Sequence, residues 1–411
     1  MPDDSGAARA RQRTGTGIGL LLVLVLGAAL LIALPDDDGS DDDACRALTV
    51  GSWKADDRLT AEFARYGDDA SRTDDWTGGD GTHSVRLPDG RVLWLFSDTY
   101  LGHVYGPPNP HGESYAWRDT TAPLVRNSAV LMRDGRLEST LPAPLFADPA
   151  PDQWRWPVAA RVEPRSPGSP EQVVRVLLWV RTAGQAPWIY GVPTATEVAT
   201  LSLPALRLES IVEVLDQRSV PDPSRRALFG TTLVEEDGWT YVFGGDDGRA
   251  ASRPASHAYA ARVPEGGLAD PDAWQYWSGS AWVPGARPRP VLGDGRRTGV
   301  GSAFTVVRDG GTYVLFTMAA GPKGLTTVAS YWACSPAGPW HGPAKEFSPS
   351  LPQGQVAAYN PQAHPVLSGG GRLVLSYDVN WLETTGAAAQ LSRNVSLYRP
   401  RFVTLRLAAA R

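Results

Sequence analysis

The sequence has little of what a nucleic-acid-binding or helical protein needs. Its 411 residues carry a net charge of −5, and no stripe of basic residues with interleaved aromatic residues is present, so we expect no nucleic-acid partner. Lysine occurs only at positions 54, 323 and 345, and we interpret the resulting excess of arginine as coding bias. Helical periodicity is almost absent outside "DRLTAEFARYG" (57–67), which favours an all-β fold.

Cysteine is also scarce, with Cys45 and Cys334 as the only two. In an exported protein they can form one disulfide that holds the N-terminal arm to the body of the molecule. Two separate thiols are the alternative. The material for a core is plentiful, because 42% of the residues are hydrophobic and 15 are Trp.

One long hydrophobic run stands near the N-terminus. The stretch "GIGLLLVLVLGAALLIAL" (17–34) reaches the lower limit of bilayer-spanning length. Arginines precede it and "PDDDGSDDD" follows it, which predicts a cytoplasmic N-terminus with the later residues outside. A cleaved signal peptide is the competing interpretation, but the run is long for one and lacks a clean A-x-A site, so we favour an uncleaved anchor.

The predicted domain plan has four parts. They are a cytoplasmic tail (1–16), a transmembrane anchor or signal peptide (17–35), an acidic tether (36–49) and a β domain (50–407). We therefore expect a single-pass cell-membrane protein with an extracellular C-terminal domain, or a secreted protein if the segment is cleaved. The lipid bilayer is then a partner through residues 17–34, and we expect a monomer.

Hairpin patterns recur throughout the β domain. Each has an apolar strand, a Gly-containing turn and a second, more strongly apolar strand. They are "SVRLPDGRVLWLFSD" (84–98), "VAARVEPRSPGSPEQVVRVLLWV" (158–180), "LVEEDGWTYVFGGD" (233–246), "VVRDGGTYVLFTM" (306–318) and "VLSGGGRLVLSYD" (366–378). Five related hairpins at intervals of roughly 60 to 80 residues are typical of a radially repeated fold. We predict a five-bladed β-propeller with four strands in each blade; a pair of β-sandwiches is the alternative.

The ends of these hairpins predict a site. In a propeller the innermost strand of each blade begins at the face to which the second strand returns, so these strand ends surround one mouth of the central channel. The hairpin within 77–102 carries Asp80 at one open end and Asp98 at the other, and we predict both as catalytic. The residues predicted to contact substrate are Asp378, Asp246, Asn360, Asn127, Trp156 and Trp381.

Clustered carboxylates suit one kind of chemistry. In a partly desolvated pocket they cannot all ionise freely, so one stays charged while another keeps its proton. An acid with a base or nucleophile is the pair needed to cleave a glycosidic bond. A simpler explanation for an aspartate at a strand end is a turn in which it accepts backbone N–H bonds. Asp80 is harder to explain in this way, because the glycines of "GGDG" permit close approach of a ligand.

The sequence predicts no cofactor and no metal site. The histidines have no recognisable ligand spacing, and calcium held by channel aspartates is conceivable but has no supporting loop pattern.

Several stretches resemble a known family. The segments "GGDGTHSVRLPDGRVLWLFSDTYLG", "RNSAVLM", "YNPQAHPVL" and "LVLSYDVNW" are similar to a family of exported actinobacterial proteins catalogued as a domain of unknown function. That family resembles five-bladed propeller glycosidases, and some relatives are endo-acting D-arabinanases. The resemblance implies Asp80 as nucleophile or general base and Asp98 as the second carboxylate. Such propellers commonly use a later Glu as the acid, and this sequence places no Glu convincingly on the predicted face.

The sequence therefore predicts an extracellular glycoside hydrolase whose substrate is a polysaccharide containing arabinofuranose. Asp80 is predicted as nucleophile or base, and Asp98 as the partner acid. The alternative is a non-catalytic glycan-binding propeller, a surface lectin or scaffold, in which the same side chains only hydrogen-bond sugar.

Overall fold

A computed structural model describes residues 44–410, apart from 74, 249–254, 295–297, 322–323, 353, 355, 382 and 384–385. Within these residues the chain forms 27 β-strands and two α-helices, so the fold is all-β as predicted. The predicted tail and the apolar run 17–34 lie outside the described residues. Among the residues described, no helix combines the length and apolar character needed to cross a membrane.

The first ten strands are β1 (Leu48–Ala55), β2 (Trp76–Gly79), β3 (His83–Arg86), β4 (Val92–Phe96), β5 (Thr99–Leu101), β6 (Val104–Tyr105), β7 (Trp117–Arg118), β8 (Leu124–Val125), β9 (Ser128–Arg133) and β10 (Arg136–Thr140). The next ten are β11 (Gln153–Pro164), β12 (Gln172–Thr182), β13 (Val192–Leu201), β14 (Leu208–Asp216), β15 (Leu228–Glu236), β16 (Trp239–Gly245), β17 (Ala258–Pro264), β18 (Gln275–Trp277), β19 (Trp282–Pro284) and β20 (Pro290–Leu292). The last seven are β21 (Thr305–Asp309), β22 (Thr312–Gly321), β23 (Gly324–Ala333), β24 (His341–Phe347), β25 (Val356–Ala363), β26 (Leu373–Trp381) and β27 (Arg401–Ala409). The α-helices are α1 (Asp57–Gly67) and α2 (Ala387–Arg393).

The strands form five main antiparallel sheets that follow one another along the chain. The first sheet has the order β10-β9-β4-β3, the second β11-β12-β13-β14, and the third β15-β16-β17-β18-β19 with β20 on β17. The fourth has the order β21-β22-β23-β24 and the fifth β1-β27-β26-β25. Two small sheets, β2-β5-β8 and β6-β7, belong to the segments around the first. The N-terminal β1 therefore completes the last sheet.

Five apolar clusters join each main sheet to the next and the fifth to the first. Leu93 and Val176 share the cluster between the first and second sheets, and Leu177 and Phe229 share the next. The third sheet meets the fourth, and the fourth the fifth, through clusters that include Phe243 with Leu315 and Phe316 with Val403. Trp94, Phe402 and the apolar face of α1 close the circle. Radial repetition of sheets that are buried on both faces is the design of a β-propeller.

The apolar character of β4, an interior strand of the first sheet, has a simple physical basis. Successive side chains of a strand point to opposite faces, so a strand packed on both faces is apolar at most positions. In β4, Leu93 faces the second sheet while Trp94 faces the fifth, and all five residues of the strand are buried. This explains why "VLWLF" does not alternate between apolar and polar residues.

Some sequence expectations are confirmed and others corrected. Cys45 and Cys334 form a disulfide, and the helix predicted over 57–67 is α1. The last predicted hairpin started its first strand too late. Its inner strand is β25, and Pro365–Leu367 after it is a short 3-10 helix. The predicted tether (36–49) overlaps the first two residues of the paired strand β1, which begins at Leu48.

Candidate active site

The first hairpin bends where it carries its two aspartates. Strands β3 and β4 are continued by β2 and β5, and the chain leaves regular pairing at Asp80 and Asp98. The Asp80 N–H donates to the Asp98 carbonyl at 3.2 Å, and the Ser97 N–H donates to the Asp80 carbonyl at 2.7 Å. The two aspartates are therefore cross-strand neighbours, as the sequence predicted.

Gly81 makes this bend possible. It has a φ of +64°, and a Cβ at this position would overlap the side chain of Ser97. The glycine after Asp80 is thus required by close approach of the chain to itself. The same residue also donates its N–H to the Oδ2 atom of Asp378 at 2.8 Å, so the bend ties the first sheet to the fifth.

Asp80 lies between other acids and tyrosine hydroxyls. The Tyr359 hydroxyl donates to its Oδ2 atom at 2.7 Å, and Tyr398 interacts electrostatically with the same carboxylate. Burial, followed by the charges of Asp98 and Asp378, raises the pKa of Asp80 well above the ordinary value of a carboxyl. These surroundings thus favour the protonated form of Asp80 more than those of an ordinary surface carboxyl.

Asp98 has a cation beside it. Arg126 donates through Nη1 to both carboxylate oxygens at 3.2 and 3.1 Å, and the Trp156 indole N–H donates to Oδ1 at 2.8 Å. Burial raises the pKa of Asp98, while Arg126 and Trp156 act in the opposite direction. These donors stabilise the charged form, so Asp98 is the better placed of the pair to carry a negative charge.

Asp378 is the third carboxylate of the cluster, and its side chain is 1% exposed. It accepts from the Thr82 hydroxyl at 2.7 Å as well as from the Gly81 N–H. Burial raises its pKa to about 6 despite these hydrogen bonds. The Asn360 amide lies 3.4 Å from Oδ2 and belongs to a residue with a φ of +47°, at a bulge of β25. Bulges and left-handed residues that re-aim side chains are common next to active sites.

Trp381 and Asp246, two further residues predicted to contact substrate, lie in different surroundings. Trp381 is half-buried and packs against the apolar cluster that contains Tyr100 and Tyr398. Asp246 is completely buried and bonds to Arg225, His257 and Tyr259. Burial alone would raise the pKa of Asp246, but hydrogen bonds from His257 and Arg225 lower it. The structure therefore favours a structural role for Asp246 over the predicted contact with substrate.

Asn127 is also fully buried and bonded to the backbone. Its amide donates to the Phe146 carbonyl at 2.8 Å, and its carbonyl accepts the Phe146 N–H at 2.8 Å. A second donation goes to the Arg155 carbonyl at 3.2 Å. These bonds fix the segment between β10 and β11. They engage both the NH₂ group and the carbonyl of Asn127, so this amide is not free to make the predicted contact with substrate.

Sequence reasoning included Trp156 but missed Arg126 and Tyr398 among the partners of the two aspartates. Arg126 directly precedes the "NSAVLM" strand, and pairing of β4 with β9 could have suggested that it lies near Asp98. Tyr398 comes from the segment between β26 and β27, whose path no strand pattern specifies.

The cluster has the parts of an acid and base centre. Three carboxylates interact in one partly buried place, with a cation on one of them and hydroxyl donors on another. In the described part of the chain, no group of three or more His, Cys, Asp or Glu residues is arranged to hold a metal ion.

Comparison with solved structures gives several similar folds. A protein from Bacteroides ovatus ATCC 8483, named as a candidate hydrolase, has a TM-score of 0.62 and 19% identity, covering 86% of this chain and 90% of that one. The catalytic domain of the GH62 α-L-arabinofuranosidase of Coprinopsis cinerea has a TM-score of 0.47 and 14% identity, covering 83% and 94%. An α-L-arabinofuranosidase of Podospora anserina, in complex with cellotriose, has a TM-score of 0.47 and 12% identity, covering 82% and 92%.

At these identities the likeness is one of fold. Comparison with curated proteins gives no significant match. A family model matches residues 62–407, and the chain therefore belongs to the family described as "Domain of unknown function (DUF5005)".

Proposed function

We propose that this protein is an extracytoplasmic glycoside hydrolase built on a five-bladed β-propeller, each main sheet being one blade. Its proposed substrate is a polysaccharide containing arabinofuranose, and Asp80 and Asp98 form the catalytic pair. The observation that carries the proposal is the interaction of Asp80, Asp98 and Asp378 in one partly buried cluster. Glycosidic bond cleavage needs two carboxyl groups in different protonation states, and such a cluster supplies them.

The surroundings of the pair support an assignment of roles. Asp80 has the strongly raised pKa expected of a general acid, while Asp98 has Arg126 and Trp156 to stabilise a negative charge. We therefore propose Asp80 as the acid and Asp98 as the base or nucleophile. This reverses the roles predicted from the sequence, where Asp80 is the base or nucleophile and Asp98 the acid.

We propose supporting roles for four of the other predicted site residues. Trp156 orients Asp98 through its N–H, and Asn360 and Asp378 hold the bend that carries Asp80. Trp381 supports Tyr100 and Tyr398 by packing against their apolar cluster.

Location outside the cytoplasm is part of the proposal. Disulfides persist in oxidising compartments and are rare in the cytosol. The Cys45–Cys334 bond agrees with an exported domain, tethered to the membrane through residues 17–34 or secreted. We also propose that the domain acts as a monomer.

The test is product release from arabinofuranose-containing polymers by the full chain, purified in mild detergent. Asp80→Asn and Asp98→Asn should each lower polymer cleavage by about 10² to 10⁴. Asp309, exposed at the turn of β21, provides the control substitution Asp309→Asn, which should leave the rate unchanged. Circular dichroism must confirm that all variants fold.

An aryl arabinofuranoside with a good leaving group separates the roles, because its departure needs little protonation. Asp80→Asn should retain much of its activity on this substrate, whereas Asp98→Asn should lose it. The opposite pattern would restore the roles predicted from the sequence. Binding of a polymer without cleavage, equally by the parent and both variants, would replace the hydrolase with the glycan-binding alternative.

A further inference from the structure

A short loop presents two apolar side chains to solvent beside the site. Residues 183–191 connect β12 to β13, and they include Trp188, Ile189 and Tyr190. Ile189 is 55% exposed and Tyr190 is 58% exposed, the highest values among the large hydrophobic side chains that the structure describes. Neither is needed to fill a core, so their position calls for another explanation.

Tyr190 is close enough to Asp80 to interact with it electrostatically. Burial of the hydroxyl end and the charge of Asp80 both raise the pKa of Tyr190. The second sheet therefore adds an exposed aromatic ring to a cluster whose carboxylates come from the first and fifth sheets. Tyr190 is more exposed than the other tyrosines that interact with Asp80, since Tyr359 is half-buried and Tyr398 is buried.

The loop is held firmly to the same group of residues. Gly191 has a φ of +86°, and a Cβ there would overlap the ring of Trp154. That ring lies 4.4 Å from the guanidinium of Arg126, which bonds Asp98. The Gly191 carbonyl accepts from Arg181 at 3.1 Å, and Arg181 forms a buried ion pair with Asp247 at 2.6 Å. The loop thus presents Tyr190 from a fixed base rather than as a free surface residue.

We propose that Tyr190, flanked by Ile189, is the platform on which one sugar ring of the polysaccharide stacks next to the carboxylate cluster. A tyrosine offers a flat apolar face with a polar tip, which matches the apolar face and hydroxyl edge of a sugar. The proposal rests on the proposed function, because it names the subsite that the glycan occupies. Tyr190 is a positioning residue, and it takes no part in proton transfer.

The experiment compares Tyr190→Ala and Tyr190→Phe in the full chain. Loss of one aromatic contact is worth about 1.4 kcal/mol, so Tyr190→Ala should raise KM for the polymer about tenfold. Its kcat should change little, and Tyr190→Phe should restore KM because the ring is kept. Tyr115→Ala is the control, since Tyr115 is also exposed, at 44%, and lies on another loop.

Polymer binding measured in the Asp98→Asn background keeps the two proposals distinguishable. If the parent cuts the polymer and Tyr190→Ala has an unchanged KM, the platform is refuted while the hydrolase stands. If the parent binds without cutting and Tyr190→Ala alone weakens binding about tenfold, the platform stands and the hydrolase fails. Equal loss of binding in Tyr190→Ala and Tyr115→Ala overturns the platform, and absence of both binding and cleavage in the parent overturns both proposals.

Discussion

The three carboxylates of the site differ in what donates to them. Asp98 has a guanidinium, Asp80 has tyrosine hydroxyls, and Asp378 has a backbone N–H and a threonine hydroxyl. Of these donors, only the guanidinium beside Asp98 carries a full positive charge. Coulomb attraction in a partly buried place is stronger than in water. Negative charge is therefore stabilised best on Asp98, while burial raises the pKa values of Asp80 and Asp378 without a neighbouring cation to offset it.

The hydrogen bond from Tyr359 to Asp80 gives a pH-dependent prediction. The donated bond stabilises the ionised carboxylate and so lowers its pKa; Tyr359→Phe removes the bond and should raise the pKa of Asp80 further. A bond to a charged group is worth about 1.5 to 3 kcal/mol, so we expect a shift of about one to two pH units. If Asp80 is the acid, the alkaline limb of the kcat/KM profile moves to higher pH.

The profile of Tyr359→Phe also tests the roles independently of leaving-group experiments. Movement of the acidic limb instead would identify Asp80 as the base. Tyr377→Phe is a suitable control, because the Tyr377 hydroxyl donates to the Ser350 carbonyl and not to the cluster. No movement of either limb in Tyr359→Phe would remove Asp80 from the reaction.

Asp378 gives a prediction about stability. Its pKa rises from an ordinary 3.8 to about 6 on folding, so the folded state holds the proton more tightly than the unfolded state. This contribution is fully present below pH 3.8 and is lost as pH rises through about 6, a loss of about 3 kcal/mol.

Chemical denaturation between pH 4 and pH 7 measures this effect. In Asp378→Asn the group no longer titrates, so the free energy of unfolding should fall less over this range than in the parent. The variant can be less stable at every pH, because an amide cannot accept from both Gly81 and Thr82 as the carboxylate does. Parallel curves for the two proteins would contradict the assignment of the raised pKa.

At the scale of the element, the bend of the first hairpin couples backbone shape to the site. Gly81→Ala should destabilise the protein and misplace Asp80, because its φ is +64° and a Cβ would overlap Ser97. We expect a cost above about 2 kcal/mol, the sum of backbone strain and overpacking. Urea denaturation and polymer cleavage measure both consequences.

Gly90→Ala is the matched control in the same hairpin. Gly90 has a φ of +86° and no atom within 4 Å of a Cβ, so only the backbone strain of about 1 kcal/mol applies. Its activity should be unchanged. Equal destabilisation by the two alanines would mean that Ser97 moves aside and that the bend is not tightly packed.

The strands were predictable where local pattern determines them. Alternation and Gly turns located β3 with β4, β15 with β16 and β21 with β22, since each pair is joined by a short turn. The pairing of Asp80 with Asp98 followed from the same hairpin geometry. The partners Tyr359, Tyr398 and Arg126 did not, because their approach to the aspartates depends on tertiary packing. Tyr359 lies in β25 and Tyr398 in the long connection between β26 and β27, while Arg126 comes close to Asp98 through the pairing of β4 with β9.

Closure of the ring was also beyond local pattern. Pairing of β1 with β27 joins residues at opposite ends of the domain, and no short-range signal in β1 specifies that partner. Most of β1 is exposed, and its sequence lacks the strong apolar run that marks the inner strands.

At the scale of the whole molecule, the N-terminal arm fastens the fourth sheet to the fifth. Strand β1 pairs with β27 in the fifth sheet, while Thr49 donates to Glu346 of β24 at 2.9 Å and the Arg46 N–H donates to Thr312 of β22 at 2.9 Å. The disulfide from Cys45 to Cys334, directly after β23, adds a covalent link between residues 289 positions apart. The arm thus joins the two sheets by hydrogen bonds, and the disulfide adds a covalent link to this closure.

Removal of that bond should therefore lower stability without removing the site. Closing so long a loop restricts the unfolded chain, and the double substitution Cys45→Ser with Cys334→Ser should cost about 2 to 5 kcal/mol. Calorimetry should find a lower Tm in the variant, and dithiothreitol should lower the Tm of the parent to the same value while leaving the variant unchanged. Cleavage at 25 °C should persist, because the bonds of Asp80, Asp98 and Asp378 do not involve the arm. An unchanged Tm would mean that pairing of β1 alone keeps the ring closed.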